Sequence, residues 1–209
     1  ETDQWFEEKQ TQLEALDAQL RKLHTSIEAL VQYRKELAFN TGQFARSAAM
    51  LGNAEEHTAL SRALSQLAEI EEKVDQLHLD QADGDFFVLA ELVKDYVTLI
   101  GAVKDVFHER VKIFKMWKET EANLQKKKEQ RAKLEQQRKL EKVPVLSHEI
   151  TEMEKKLEQG QDDFEKISRN IRVEMKRFEV QRVRDFKTTI VHYLEGLMNT
   201  QQQVIKHWE

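Results

Sequence analysis

The sequence predicts an all-α protein whose long antiparallel helices wind as an elongated three-helix coiled-coil bundle. Three observations carry this. The 209 residues include only 6 Gly and one Pro, so turns must be few and elements long. Charged residues make up 34% of the chain, and Leu, Glu, Gln, Lys and Ala abound, the composition of long helices. Apolar residues also recur at seven-residue spacing through the first fifty positions.

The first helix is expected at 3–51. Leu13, Leu20 and Ile27 sit seven apart, and so do Leu16, Leu23, Leu30, Leu37, Phe44 and Leu51. Together the two rows make one apolar seam. The first row lapses at Arg34, Thr41 and Ala48, which predicts a change of packing there. Gly52-Asn53 is expected to end the helix, since both residues tolerate a left-handed C-terminal cap. Thr58 is the expected N-cap of the next one.

The second helix is expected at 58–142. Its stripe is Leu60, Leu64, Leu67, Val74 and Leu77, then Val88, Leu92, Tyr96, Leu99, Val103, Phe107, Phe114 and Trp117. Asp83-Gly84-Asp85 is the weak point. However, Leu77 to Val88 is eleven residues, close to three turns, so the stripe stays in phase across it. One helix of about 85 residues, spanning ~130 Å, is therefore predicted. It should stop at Val143-Pro144, the only proline. The third helix is expected at 146–208, on Ile150, Met153, Leu157, Phe164, Ile167, Ile171, Phe178, Phe186, Ile190, Leu194, Leu197, Ile205 and Trp208. No repeat of fixed length appears, which speaks against a solenoid, and residues 1–209 read as a single domain.

Short connections make neighbouring helices antiparallel. The first helix then runs out near the level of residue 103, leaving a two-helix arm. The third finishes by the level of residue 78, so Leu60, Leu64, Leu67, Ile70 and Val74 have only the first helix to cover them. A bare apolar strip costs about 25 cal/mol per Å². A second copy of the chain is the expected cover, so the protein is expected to be dimeric with those five residues in its interface.

Charge is distributed unevenly. The whole chain carries −5, yet residues 124–142 hold eight Lys/Arg and three Glu. Lys126, Lys127, Lys128, Arg131, Lys133, Arg138 and Lys139 are the candidate contacts to an anionic surface. The residues alone leave two readings open, a membrane contact and an ordinary solvated face of a coiled coil. Lys127, Arg131 and Arg138 share one helical face, whereas Lys126, Lys127 and Lys128 fan around the helix. A second basic zone, Arg169, Arg172, Lys176, Arg177, Arg182, Arg184 and Lys187, admits membrane contact or ion pairing within a dimer.

Other chemistries lack their residues. There is no Cys, hence no disulfide, thiolate nucleophile or Cys-ligated metal. No two of the seven His stand three or four apart, so the helical zinc spacing is missing. No nucleophile elbow, phosphate-cradling Gly loop or calcium loop occurs, and no enzyme activity, metal or cofactor is expected. No apolar stretch reaches the roughly 20 residues a membrane-spanning helix needs. Aromatics such as Phe86, Phe87, Phe107, Phe114 and Trp117 read as core. Overall acidity and the lack of a reading motif speak against nucleic acid.

Six stretches resemble a known family: RKELAFNTGQFARSAAMLG (34–52), TALSRALSQLAEIEEKVDQLH (58–78), DFFVLAELVKDYVTLI (85–100), LQKKKE (124–129), DFEKIS (163–168) and YLEGLMNTQQQVIKHWE (193–209). They are similar to the BAR region of the retromer-associated sorting nexins, in the one/two subgroup. The resemblance implies a curvature-sensing or curvature-stabilising dimer that works in endosomal sorting and retromer-linked tubule formation. It implies contact of Lys126, Lys127 and Lys128 with anionic, phosphoinositide-containing membrane. It also implies homodimers, or heterodimers with another sorting nexin, and retromer as a partner. The implied location is cytoplasmic, peripheral on the cytosolic face of early endosomes. The family's PX domain and the amphipathic helix before the BAR region are not in this chain. The competing expectation is a purely structural dimerisation or tethering module, which accounts for the heptads but leaves the charge segregation unexplained.

Overall fold

The computed structural model describes residues 3–138 and 140–209. Among these, every regular element is helical. They are α1 Gln4–Ala54, α2 Thr58–Gly84, a π-turn Asp85–Ala90, α3 Glu91–Gln136, a short 3-10 turn Leu140–Lys142 and α4 Val143–Trp208. No gap separates α2, the π-turn and α3, so the second helix runs unbroken past Asp83-Gly84-Asp85. The chain forms two compact units, one from residues up to 100 and from 181 onward, the other from 101–180.

In the first unit α1 turns two seven-spaced rows inward. Leu13, Leu20 and Ile27 form one, as expected. The other is Val31, Ala38, Ala45 and Gly52, all buried. It displaces the expected row of Leu16 through Leu51. Small side chains let α2 come close: a Cβ on Gly42 would stand 2.7 Å from Asp75 Oδ2, and one on Gly52 would stand 3.1 Å from Leu64 Cβ. Gly52 is thus an interhelical contact rather than a cap. Its carbonyl accepts the Ser61 hydroxyl at 2.7 Å, and α1 continues to Ala54. Thr58 opens α2 and does not cap it. The N-cap is His57, whose backbone N–H donates to Glu55 Oε1 at 2.9 Å.

The π-turn answers a phase problem. The inward row of the second helix is Ala68, Val74, Gln81 and Ala82, then Asp85, Ala90, Val93, Tyr96 and Ile100. Five residues separate Asp85 from Ala90, too many for one α-turn of 3.6. A π-turn, with its wider winding, keeps both inward. The eleven-residue spacing thus found the continuity on the wrong row. Leu77 and Val88 are only half-buried, and Phe87, expected in the core, is 69% exposed.

Tyr96 closes this core. Its ring meets the Phe186 ring edge-on at 5.1 Å, and its hydroxyl donates to Asp185 Oδ2 at 2.7 Å. Burial, and after it the bond to Asp185, push the phenol from 10.0 up to about 12. A raised folded value means stability that is complete below pH 10 and fades as pH rises from 10 toward 12. Chemical denaturation should therefore show a loss of stability in that window and a shallower one in Tyr96→Phe. An equal slope in both proteins would contradict it.

In the second unit α3 and α4 pack through aromatics. Trp117 stacks on Phe164 at 5.6 Å and Phe114 lies 5.3 Å from the same ring. The buried Arg110 sets its guanidinium 4.6 Å above Phe164 and donates from Nε to Ser168 Oγ at 2.9 Å. Gly160 faces Trp117, and a Cβ there would lie 3.5 Å from the indole side chain, ordinary contact distance. Gly160→Ala should therefore gain helix propensity without a clash, raising stability by up to about 1 kcal/mol in a thermal melt. A lowered midpoint would show that the site is tighter than this. Leu124, Leu146 and Ile150 form a further cluster, edged by Leu134, Met153 and Leu157.

The second helix ends at Gln136, short of the expected 142, and Arg138 takes a left-handed φ of 56°. Pro144 does not stop a helix. It is the second residue of α4, in a first turn whose N–H groups have no partners to lose and whose φ suits proline.

Candidate functional site

Charge divides between the two units. Residues 101–180 hold 20 Lys/Arg against 16 Asp/Glu, while the rest of the chain holds 13 against 22. The candidate tract lies at the end of α3. Lys126, Lys133 and Arg138 are exposed. Lys127 reaches across to Glu149 of α4, and Lys128 pairs with Glu154 at 2.7 Å. Arg131 pairs along its own helix with Glu135 at 3.4 Å. Lys139 lies outside the described residues. Exposed pairs of this kind contribute about 0–1 kcal/mol each and are readily exchanged for another anion. Lys127 and Arg131 stand one turn apart on α3, as expected. Arg138 does not extend that face, because the helix has ended before it. On α4, Arg169, Arg172 and Lys176 are exposed, and Arg177 pairs with Glu174 within the helix at 2.7 Å.

The second candidate feature is apolar and belongs to the first unit. Leu23, Leu30, Leu37, Phe44 and Leu51 of α1 are 36–57% exposed, although the heptad reading placed them in the seam. Leu60 and Leu67 of α2 are also exposed, with Leu64 and Ile70 half-buried. Val74 is a correction. It is 4% exposed in the single chain, because the stripe has turned inward by that point, and it has no face left for a second subunit. On α4, Ile190, Leu194, Met198 and Ile205 are exposed. Sequence reasoning missed the α1 and α4 rows. The Ala/Gly content of 38, 45 and 52 was the available signal. Closest approach between helices takes small residues, so a parallel row of leucines must look elsewhere.

Among the described residues no group of His, Asp and Glu is placed to hold a metal ion. No described helix is long and apolar enough to cross a membrane. The arrangement offers surfaces, one basic and one apolar, rather than a reaction centre.

Comparison with known proteins gives matching results over the full chain. The sequence profile of a family described as Vps5 C terminal like matches residues 1–209. Sorting nexin-2 of Homo sapiens and that of Bos taurus are each 58% identical over all 209 residues. Sorting nexin-1 of Rattus norvegicus is 50% identical over the same span. The chain covers 40% of the length of each of these relatives.

Proposed function

Because the chain belongs to the Vps5 C-terminal-like family, the BAR region of the sorting nexins, we propose that it is a dimeric membrane-binding unit that senses or stabilises curvature in endosomal sorting. The charge division carries this reading: an acidic chain that collects its positive excess in 101–180 is built to meet an anionic surface there. The bare rows of α1, α2 and α4 supply the apolar area for a partner chain, a second copy or another sorting nexin. Phosphoinositide-containing membrane on the cytosolic face of early endosomes is the proposed surface, and retromer a proposed partner of the longer protein.

One observation favours the tether reading instead. Lys127 and Lys128 are engaged with Glu149 and Glu154, as they would be in a coiled coil that never meets lipid. Vesicle sedimentation separates the two. With anionic and neutral vesicles in parallel, the membrane reading expects capture by the anionic set only. Capture should fall as salt shortens the screening length from about 10 Å at 0.1 M. No capture by either set at low salt would support the tether.

A further inference from the structure

The seven-residue rows of the first unit leave one question open. Slide α1 by seven positions against its neighbours, and much of the apolar pattern matches again. A heptad repeat selects the packed face but discriminates poorly between heights. One layer breaks the repeat. Arg34 stands seven residues after Ile27 in the inward row of α1, where the apolar series lapses. Gln81 stands seven after Val74 in α2. Tyr193 and Thr200 stand seven and fourteen after Phe186 in α4.

These four meet at Asp85, the first residue of the π-turn, whose side chain is 0% exposed. Arg34 Nε lies 2.5 Å from Asp85 Oδ2, a close charge contact. Gln81 Nε2 donates to Asp85 Oδ1 at 2.6 Å. Thr200 Oγ1 donates to Gln81 Oε1 at 2.9 Å. The Tyr193 hydroxyl is hydrogen-bonded to both Asp85 and Arg34. Thus α1, α2, the π-turn and α4 each place a polar group in one buried layer.

We propose that this layer is a register lock, which selects one alignment of α1, α2 and α4 while adding little net stability. The desolvation of a buried ion pair largely cancels its attraction, but stranding one member alone is costly. A seven-residue slip of α1 would set Ile27 or Thr41 against Asp85 and leave the buried carboxylate without its cation. The slip would move α1 by about 10 Å. It would carry the outward row of Leu23, Leu30, Leu37, Phe44 and Leu51 with it. The lock therefore also sets the height at which that row is presented.

The chain has no cysteine, so two introduced ones report cleanly. Nitroxides at exposed Gln32 of α1 and Glu195 of α4 give a distance distribution, with labelled chains diluted into excess unlabelled chain to remove distances between subunits. The parent should show one narrow distance. Asp85→Leu alone strands Arg34 and should melt well below the parent. Arg34→Met with Asp85→Leu makes the layer apolar. It should melt at or above the parent temperature and show a second distance population. A single parental distance in the double variant overturns the proposal, since apolar packing then suffices to set register. A double variant that melts as low as Asp85→Leu also overturns it, since the layer is then needed for stability itself.

Discussion

Leu37→Asp combined with Phe44→Asp should leave the chain monomeric while its helix content stays near that of the parent. Both side chains lie on the outward row of α1, and neither belongs to the inward rows that hold α1 to α2. Covering a large apolar side chain fully contributes about 1.5–3 kcal/mol. These two are already about half covered in the single chain, so roughly half of that remains to be gained. Two positions on each of two subunits still amount to about 3 kcal/mol at the least, a dissociation constant raised at least ~100-fold. Four carboxylates facing a dry partner surface add to the loss. Sedimentation velocity should show the 24.7 kDa species for the double variant and twice that mass for the parent. Leu67→Asp should act in the same direction more weakly, being a single change at a residue more covered than either. A double variant that sediments like the parent would remove α1 from the interface.

Neutralising the tract gives the second large effect. Lys126→Gln, Lys127→Gln and Lys128→Gln together should cut binding to anionic vesicles by on the order of 100-fold, each lipid-facing lysine contributing about 1 kcal/mol. The Gln series is cleaner than charge reversal. Glu at 127 and 128 would face Glu149 and Glu154 and would push α3 from α4 as well as from lipid. Loss of the two exposed pairs to Gln costs only about 0–1 kcal/mol each, so helicity should hold. Comparison of Lys126→Gln alone with Lys127→Gln/Lys128→Gln is informative. If only the first matters, the other two are interhelical ties. Unchanged binding in the triple variant would make the whole tract a solvated face.

Much of this molecule was legible in its sequence, and the misses share a cause. Helix number, antiparallel order and the continuity of the second helix follow from composition, spacing and scarce turn residues. Which row of α1 faces inward did not. Leucine and alanine rows both have the right period, and hydrophobicity favours leucine, whereas the distance between helices favours alanine and glycine at 38, 42, 45 and 52. Arg34 was visible as a lapse in the pattern, but its partner Asp85 is fifty-one positions away in a segment that reads as a weak helix. Pro144 was read as a stop because proline ends helices as readily as it begins them. Only the position of the first turn decides between the two. The lysine tract was found by charge counting, which cannot see that Glu149 and Glu154 come opposite it.

The π-turn can also be regarded as a spare residue. A helix that winds once at the wider pitch holds one more amino acid than its neighbours need, and the exposed Phe87 is the one that bulges out. Deleting Phe87 would let the segment close into ordinary α-helix, with Asp85 and Ala90 now four apart and every later core position left pointing where it does. Deleting Thr98 instead, in the regular stretch, would rotate all that follows by about 100° and turn Ile100 and Phe107 out of the core. This second helix therefore tolerates a change of length at one place along its run, and the same omission a few residues further on would scramble it.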